Sequence, residues 1–243
     1  MLILVLEIKL KTKTSKPIIM LSKESLQFLD DLKANNNRDW FLENKKRYEI
    51  FKKDYHQLVA HFLDAMKPLD PSLELLEVKN CTFRINRDIR FSKDKSPYKD
   101  HLGVWMSSGS KGNNRAGYYV HIAKGGSFIA GGFYCPEADD LKKIRKEIAY
   151  FYEDLEEILA DKNFKKVFSD FDRNEANVLK NPPRGYEKEH PAIEYLKLKS
   201  FETSQRFEIE ELLKPDFVSK MSQKLILLKP LNDFMNRALI TEE

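Results

Sequence analysis

The sequence predicts an α+β fold: a curved antiparallel sheet with helices from both chain ends packed on it. Three observations point there. Apolar residues recur with helical period at the two ends of the chain. They alternate with period two through the middle. No βαβ alternation, the mark of a parallel sheet, appears. The 243 residues are 42% hydrophobic and 33% charged, a soluble composition with enough length to bury a core. No apolar run is long enough to span a bilayer. The opening "MLILVLEIKLKTKTSK" places its lysines after the apolar residues, the reverse of a secretory signal. The expectation is therefore a cytoplasmic protein with no membrane partner.

Residues 1–19 read as an extension, either an added edge strand or residues upstream of a start at Met20, and 20–243 as one α+β domain. Ser22 is suited to cap a first helix, with Leu21 and Leu26 spaced as a hydrophobic staple. That helix runs to about Ala34, buries Phe28, Leu29 and Leu32, and stops at "NNN". A longer helix capped by Asp39 follows, with Tyr48, Phe51, Tyr55, Leu58, Phe62 and Met66 on its buried face and Pro68 and Pro71 at its end.

From Cys81 to Phe91 the period becomes two, which predicts a half-buried strand with Arg84, Asn86, Asp88 and Arg90 on its polar face. "SKDKSPYK" is a turn, "HLGVWM" a strand and "SSGSKGNN" a loop. "GYYVHIA" and "SFIAGGFY" flank "KGG" as a hairpin. Gly131 and Gly132 inside its second strand imply a bulge, tight packing or a ligand floor. Pro136 opens a helix with Glu137, Asp139 and Asp140 in its first turn and a stripe of Leu141, Ile144, Ile148, Leu155 and Ile158. Residues 180–191 form a long loop and "YLKLKSFETSQRF" a last strand. Helices near 215–228 and 231–240, broken at Pro230, close the chain.

Charge singles out one segment. Between Lys79 and His101 seven Lys/Arg stand against three Asp, a surplus of four, which equals the net charge of the whole chain. A protein that coats nucleic acid spreads its charge along a face. One that grips a single anionic group concentrates it. The segment therefore reads as a site for an anionic, most simply phosphate-bearing, small molecule. Arg84, Arg87 and Arg90 would clamp the ligand, with Asp88 orienting them. Lys93, Lys95 and Lys99 would supply point charge, and Tyr98 would stack or hydrogen-bond. Arg84 and Arg90 lie about 20 Å apart on a straight strand, so joint clamping requires a bend or bulge near Asp88 that also brings Arg87 round. Solvated surface charge is the plain alternative.

The segment "RINRDIRFSKDKSPYKDHLGVWM" is flanked by "NNNRDWFLENKKRYE", "GYYVHIAKGGSFIAGGFYCPEADDLKKIRKEI", "GYEKEHPAIEYLKLKSF" and "LKPLNDFMNRAL". Together they resemble the bacterial family catalogued as domain of unknown function 2461, over residues 21 to 240. The resemblance implies a fold unit and carries no catalytic assignment. Asp88, His101 and His121 are acid–base candidates should the strands neighbour one another, with hydrogen-bonded structural histidines as the alternative. That leaves three other functional classes open: an enzyme on a phosphorylated substrate, a nucleic-acid-binding protein, and a buried structural network of Arg84, Asp88 and Arg90. No HxxxH or HExxH spacing indicates a metal, no motif names a cofactor, and Cys81 and Cys135 fit neither a disulfide framework nor a zinc site. Arg38, Arg184, Lys197 and Lys199 are further cations without a compelling pattern.

Overall fold

The computed structural model describes residues 21–109 and 115–240. The 1–19 extension and the centre of the "SSGSKGNN" loop lie outside the described residues.

At the N-terminal end, α1 (Lys23–Ala34), α2 (Arg38–Glu43) and α3 (Lys45–Met66) form a layer. Ser22 caps α1 by accepting from the Ser25 N–H. Its hydroxyl and that of Ser25 both donate to Asp54 of α3, at 2.6 and 2.7 Å, which locks the start of α1 onto α3. The helix expected to begin near Asp39 is two helices that meet at Asn44, and the first is capped by Asn37.

The short α4 (Val78–Cys81) leads into the segment predicted as a strand, and here the structure differs. Only Thr82 and Asn86 make isolated bridges, to Val104 and Tyr98. The alternation would have buried Phe83 and Phe91, yet they are 48% and 95% exposed. The predicted bulged strand does not form. Instead the chain folds back on itself as an arm: the Arg87 N–H donates to Pro97 O at 2.9 Å and the Lys99 N–H to Ile85 O at 2.8 Å. Side chains complete it. Arg87 pairs closely with Asp94 and donates to Ser96 O at 3.1 Å. Asp94 accepts from the Ser96 N–H and hydroxyl, and Lys95 Nζ donates to Ile89 O. Side chains bonding nearby backbone groups, the short Asp94 and the long Arg87 and Lys95, outcompete a ladder that offers no second neighbour.

The sheet follows as β1 (Leu102–Met106), β2 (Gly117–Ile122), β3 (Phe128–Phe133) and, far along the chain, β4 (Phe201–Arg206). All pairings are antiparallel, in the order β1-β2-β3-β4. Between β3 and β4 come α5 (Ala138–Tyr150), α6 (Tyr152–Ala160), α7 (Lys162–Val167) and α8 (Ile193–Leu196). The last strand begins later than predicted because residues 193–196 coil into α8. Arg145 holds that turn by donating to Leu196 O and Leu198 O at 2.8 and 3.0 Å. The chain ends in α9 (Phe217–Leu225) and α10 (Lys229–Arg237), where Pro230 opens α10, its missing N–H costing nothing in a first turn.

Period two divides the sheet into two unlike faces. Val104, Met106, Tyr118, Val120, Ile122, Ile129, Phe133 and Phe201 are buried, and α3, α9 and α10 pack against this side of the structure. Gly131 records how close that packing is, and Gly132 how closely the β4 backbone approaches β3. A Cβ on Gly131 would sit 2.6 Å from a Leu228 methyl; one on Gly132, at φ +105°, would sit 2.1 Å from Phe201 O. The other face carries Trp105, Tyr119, His121, Phe128, Glu202 and Ser204, all partly exposed, and Arg206, which is exposed. No helix among the described residues is long and apolar enough to cross a membrane.

Candidate functional site

A cleft of about 540 Å³ opens beyond the outer edge of β1. One wall is α3, where Tyr48, Lys52, Tyr55 and His56 line the opening. Lys52 and His56 are four residues apart, so one helix face presents both. The opposite wall is residues 82–86, with Lys99, His101 and Tyr119 closing the floor and end.

Each wall is pinned. The Tyr55 hydroxyl donates to Gly103 O and accepts from the Phe83 N–H at 3.0 Å, tying α3, β1 and the arm together at one atom. Burial pushes that phenol up, so it stays protonated. At the base of the arm, Asn36 bonds the Tyr98 backbone twice, accepting from its N–H at 3.0 Å and donating to its O at 2.9 Å, as a neighbouring strand would. The Tyr98 ring is buried and stacks on Phe41 at 4.0 Å. Tyr98 therefore anchors the arm to the core and does not line the cleft.

The electrostatics are one-sided. Among the described residues fifteen line the cleft, and none is Asp or Glu. Arg84 has no ion pair among the described residues. Lys99 Nζ donates to Arg84 O at 2.8 Å and stands 5.4 Å over the Phe83 ring. Burial and then the Arg84 charge hold its ammonium below the usual lysine range. Burial and then Lys52 depress His56. His101 Nδ1 lies 3.3 Å from Asp100, and its ring stacks on His121 at 4.6 Å. His121 is pushed down to about 4 by burial and by His101, so it is neutral at pH 7. Its Nδ1 meets the Tyr119 hydroxyl at 3.1 Å, and burial raises that phenol to about 12.

The sequence-predicted residues thus divide. Arg84, Lys99 and His101 line the cleft. Arg87, Lys93 and Lys95 belong to the outer arm, where Arg87 and Lys95 hold the arm's own shape. Asp88 and Arg90 pair with each other at 2.7 Å, their side chains 46% and 76% exposed, so the alternative of a buried ion network does not apply. His101 and His121 do come together, but Asp88 does not join them; the carboxylate at His101 is Asp100. Arg38, Arg184, Lys197 and Lys199 are absent from the cleft lining. Sequence reading missed Lys52 and His56. Their helical spacing showed only that they share a face, and nothing local said that residues 82–86 would pack opposite. No group of three or more His, Cys, Asp or Glu among the described residues is arranged to hold a metal.

The fold and cleft define an α+β protein with a cationic cleft, free of carboxylates among the described residues, at the open edge of its sheet. The chain belongs to the family described as conserved hypothetical protein DUF2461, whose model matches residues 24–234. Comparison with curated proteins and with solved structures finds no match.

Proposed function

We propose that the cleft binds an anionic, most simply phosphate-bearing, small molecule in the cytoplasm. Arg84 and Lys99 are the principal contacts, with Lys52 and His101 beside them. The observation that carries the reading is the cleft's composition: cations from three separate stretches of chain converge with no carboxylate in the lining among the described residues. Surface charge that serves solubility alone is normally mixed, and the chain as a whole is, with 42 Lys/Arg to 38 Asp/Glu. Grouping like charges in a partly dry cleft costs free energy, visible in the lowered Lys99. An anion between Arg84 and Lys99 reverses that cost, and a guanidinium binds it bidentately.

The test is thermal stability with inorganic phosphate and sugar phosphates, for the wild-type protein and Arg84→Glu. The wild type should gain several degrees at millimolar ligand, as mass action requires of a ligand that binds only the native state. The variant should keep its fold and lose the gain. A wild-type protein indifferent to every anion at that concentration would reject the reading.

A further inference from the structure

The cleft continues onto the exposed face of the sheet. Phe83 and Tyr119 both line it, and they meet edge to face with centroids 6.4 Å apart. From Tyr119 an aromatic surface runs on to Trp105 at 6.4 Å across β1 and to Phe128 at 5.9 Å across β3. Phe128 stacks on the neutral His121 at 4.7 Å. Four aromatic side chains and a neutral imidazole therefore cover a face that an antiparallel sheet ordinarily gives to polar residues.

Cross-strand aromatic pairs stabilise a sheet, which accounts for part of the row. It does not account for Phe83. That residue is outside every strand, 48% exposed, and held at the cleft mouth by Tyr55 on its N–H and Lys99 over its ring. The cleft is also far larger than one phosphate group needs, and its volume falls in the range of small-molecule sites.

Resting on the anion-binding reading above, we propose that the ligand is a nucleotide. Its phosphate lies between Arg84 and Lys99, and its planar heteroaromatic base lies against Phe83 and Tyr119, toward the aromatic face of the sheet. The base needs no hydrogen-bond readout for this, because any base offers a π-face to an aromatic side chain. Charge and aromatic surface adjoin at a single opening, which matches a molecule with an anionic end and a flat apolar end.

Isothermal titration of the full-length protein with inorganic phosphate, ribose 5-phosphate, AMP, UMP and an eight-residue oligothymidylate separates the possibilities. The expected result is AMP and UMP binding about tenfold or more tighter than ribose 5-phosphate, the size of one base–aromatic stack. Phe83→Leu and Tyr119→Leu, each checked for an unchanged circular dichroism spectrum, should bring that affinity ratio toward one. Because Phe83 is half exposed, its variant remains a fair test should Tyr119→Leu unfold. Equal affinity for ribose 5-phosphate and the nucleotides would overturn the base site and leave the anion site standing. No binding of any of the five would remove both. Binding of the oligonucleotide alone would replace the mononucleotide with a nucleic-acid strand and overturn the proposal.

Discussion

Glu202 stands on β4 with its carboxyl half-buried and no cation paired to it among the described residues. Burial, and then the charge of Asp172, raise it to about 7. The folded protein thus binds a proton at Glu202 that the unfolded chain has lost between about pH 4.5 and 7, and stability falls as pH rises through that window. Glu202→Gln should raise the melting temperature at pH 8 and have little effect near pH 5; a uniform shift at both pH values would reject the assignment. His121 behaves in the opposite sense. Its folded value near 4 lies below the ordinary 6.5, so the unfolded chain takes up the proton first and stability is lost as pH falls from 6.5 toward 4. His121→Gln, which keeps a partner for Tyr119, should flatten the acid limb of a stability profile, and an unaltered limb would show that other groups control it. Neither shift could be read from residue type, since each arises from neighbours brought in by strand pairing and packing.

At the scale of elements, the arm is the informative case. Its alternating pattern is a strand pattern, yet the outer edge of β1 pairs with it only at Thr82. Once past that residue, the side chains of Arg87, Asp94 and Lys95 satisfy its backbone locally. Beside the Tyr55 hydroxyl and the Tyr98 ring, the arm is fixed to the body by Asn36, one of three asparagines whose evident role in the sequence is to end a helix. Asn36→Ala removes both bonds to the Tyr98 backbone and should cost roughly 1–3 kcal/mol. It should also weaken anion binding, since Arg84 and Lys99 flank the anchored residue. Denaturant unfolding and the phosphate titration check the two effects, and a variant matching wild type in both would show the anchor to be dispensable.

For the whole molecule, a connected set of buried side chains runs from Leu21 through the core face of the sheet to Ala238. The family match begins at residue 24, and Ser22 with Asp54 already closes the first helix. Deleting residues 1–19 should therefore leave the melting temperature within about 2 °C of the full chain, whereas a fall of more than about 5 °C would make the extension part of the fold.

By itself the sequence determined the α+β class, the helices at both ends and the β2–β3 hairpin. These follow from local periodicity and capping, which act over a few residues and leave a mark in every turn or pair. It also marked the region of the cleft, through the charge surplus between Lys79 and His101. Only the tertiary structure decided which of those charges face a common space. Arg84 and Lys99 meet because the arm folds back between Asp88 and Ser96, Lys52 and His56 join them because α3 crosses the β1 edge, and Arg87 and Arg90 are withdrawn because Asp94 and Asp88 stand within their reach. Charge has no period along a chain, so the partner of each cation is set by distances that the fold alone creates.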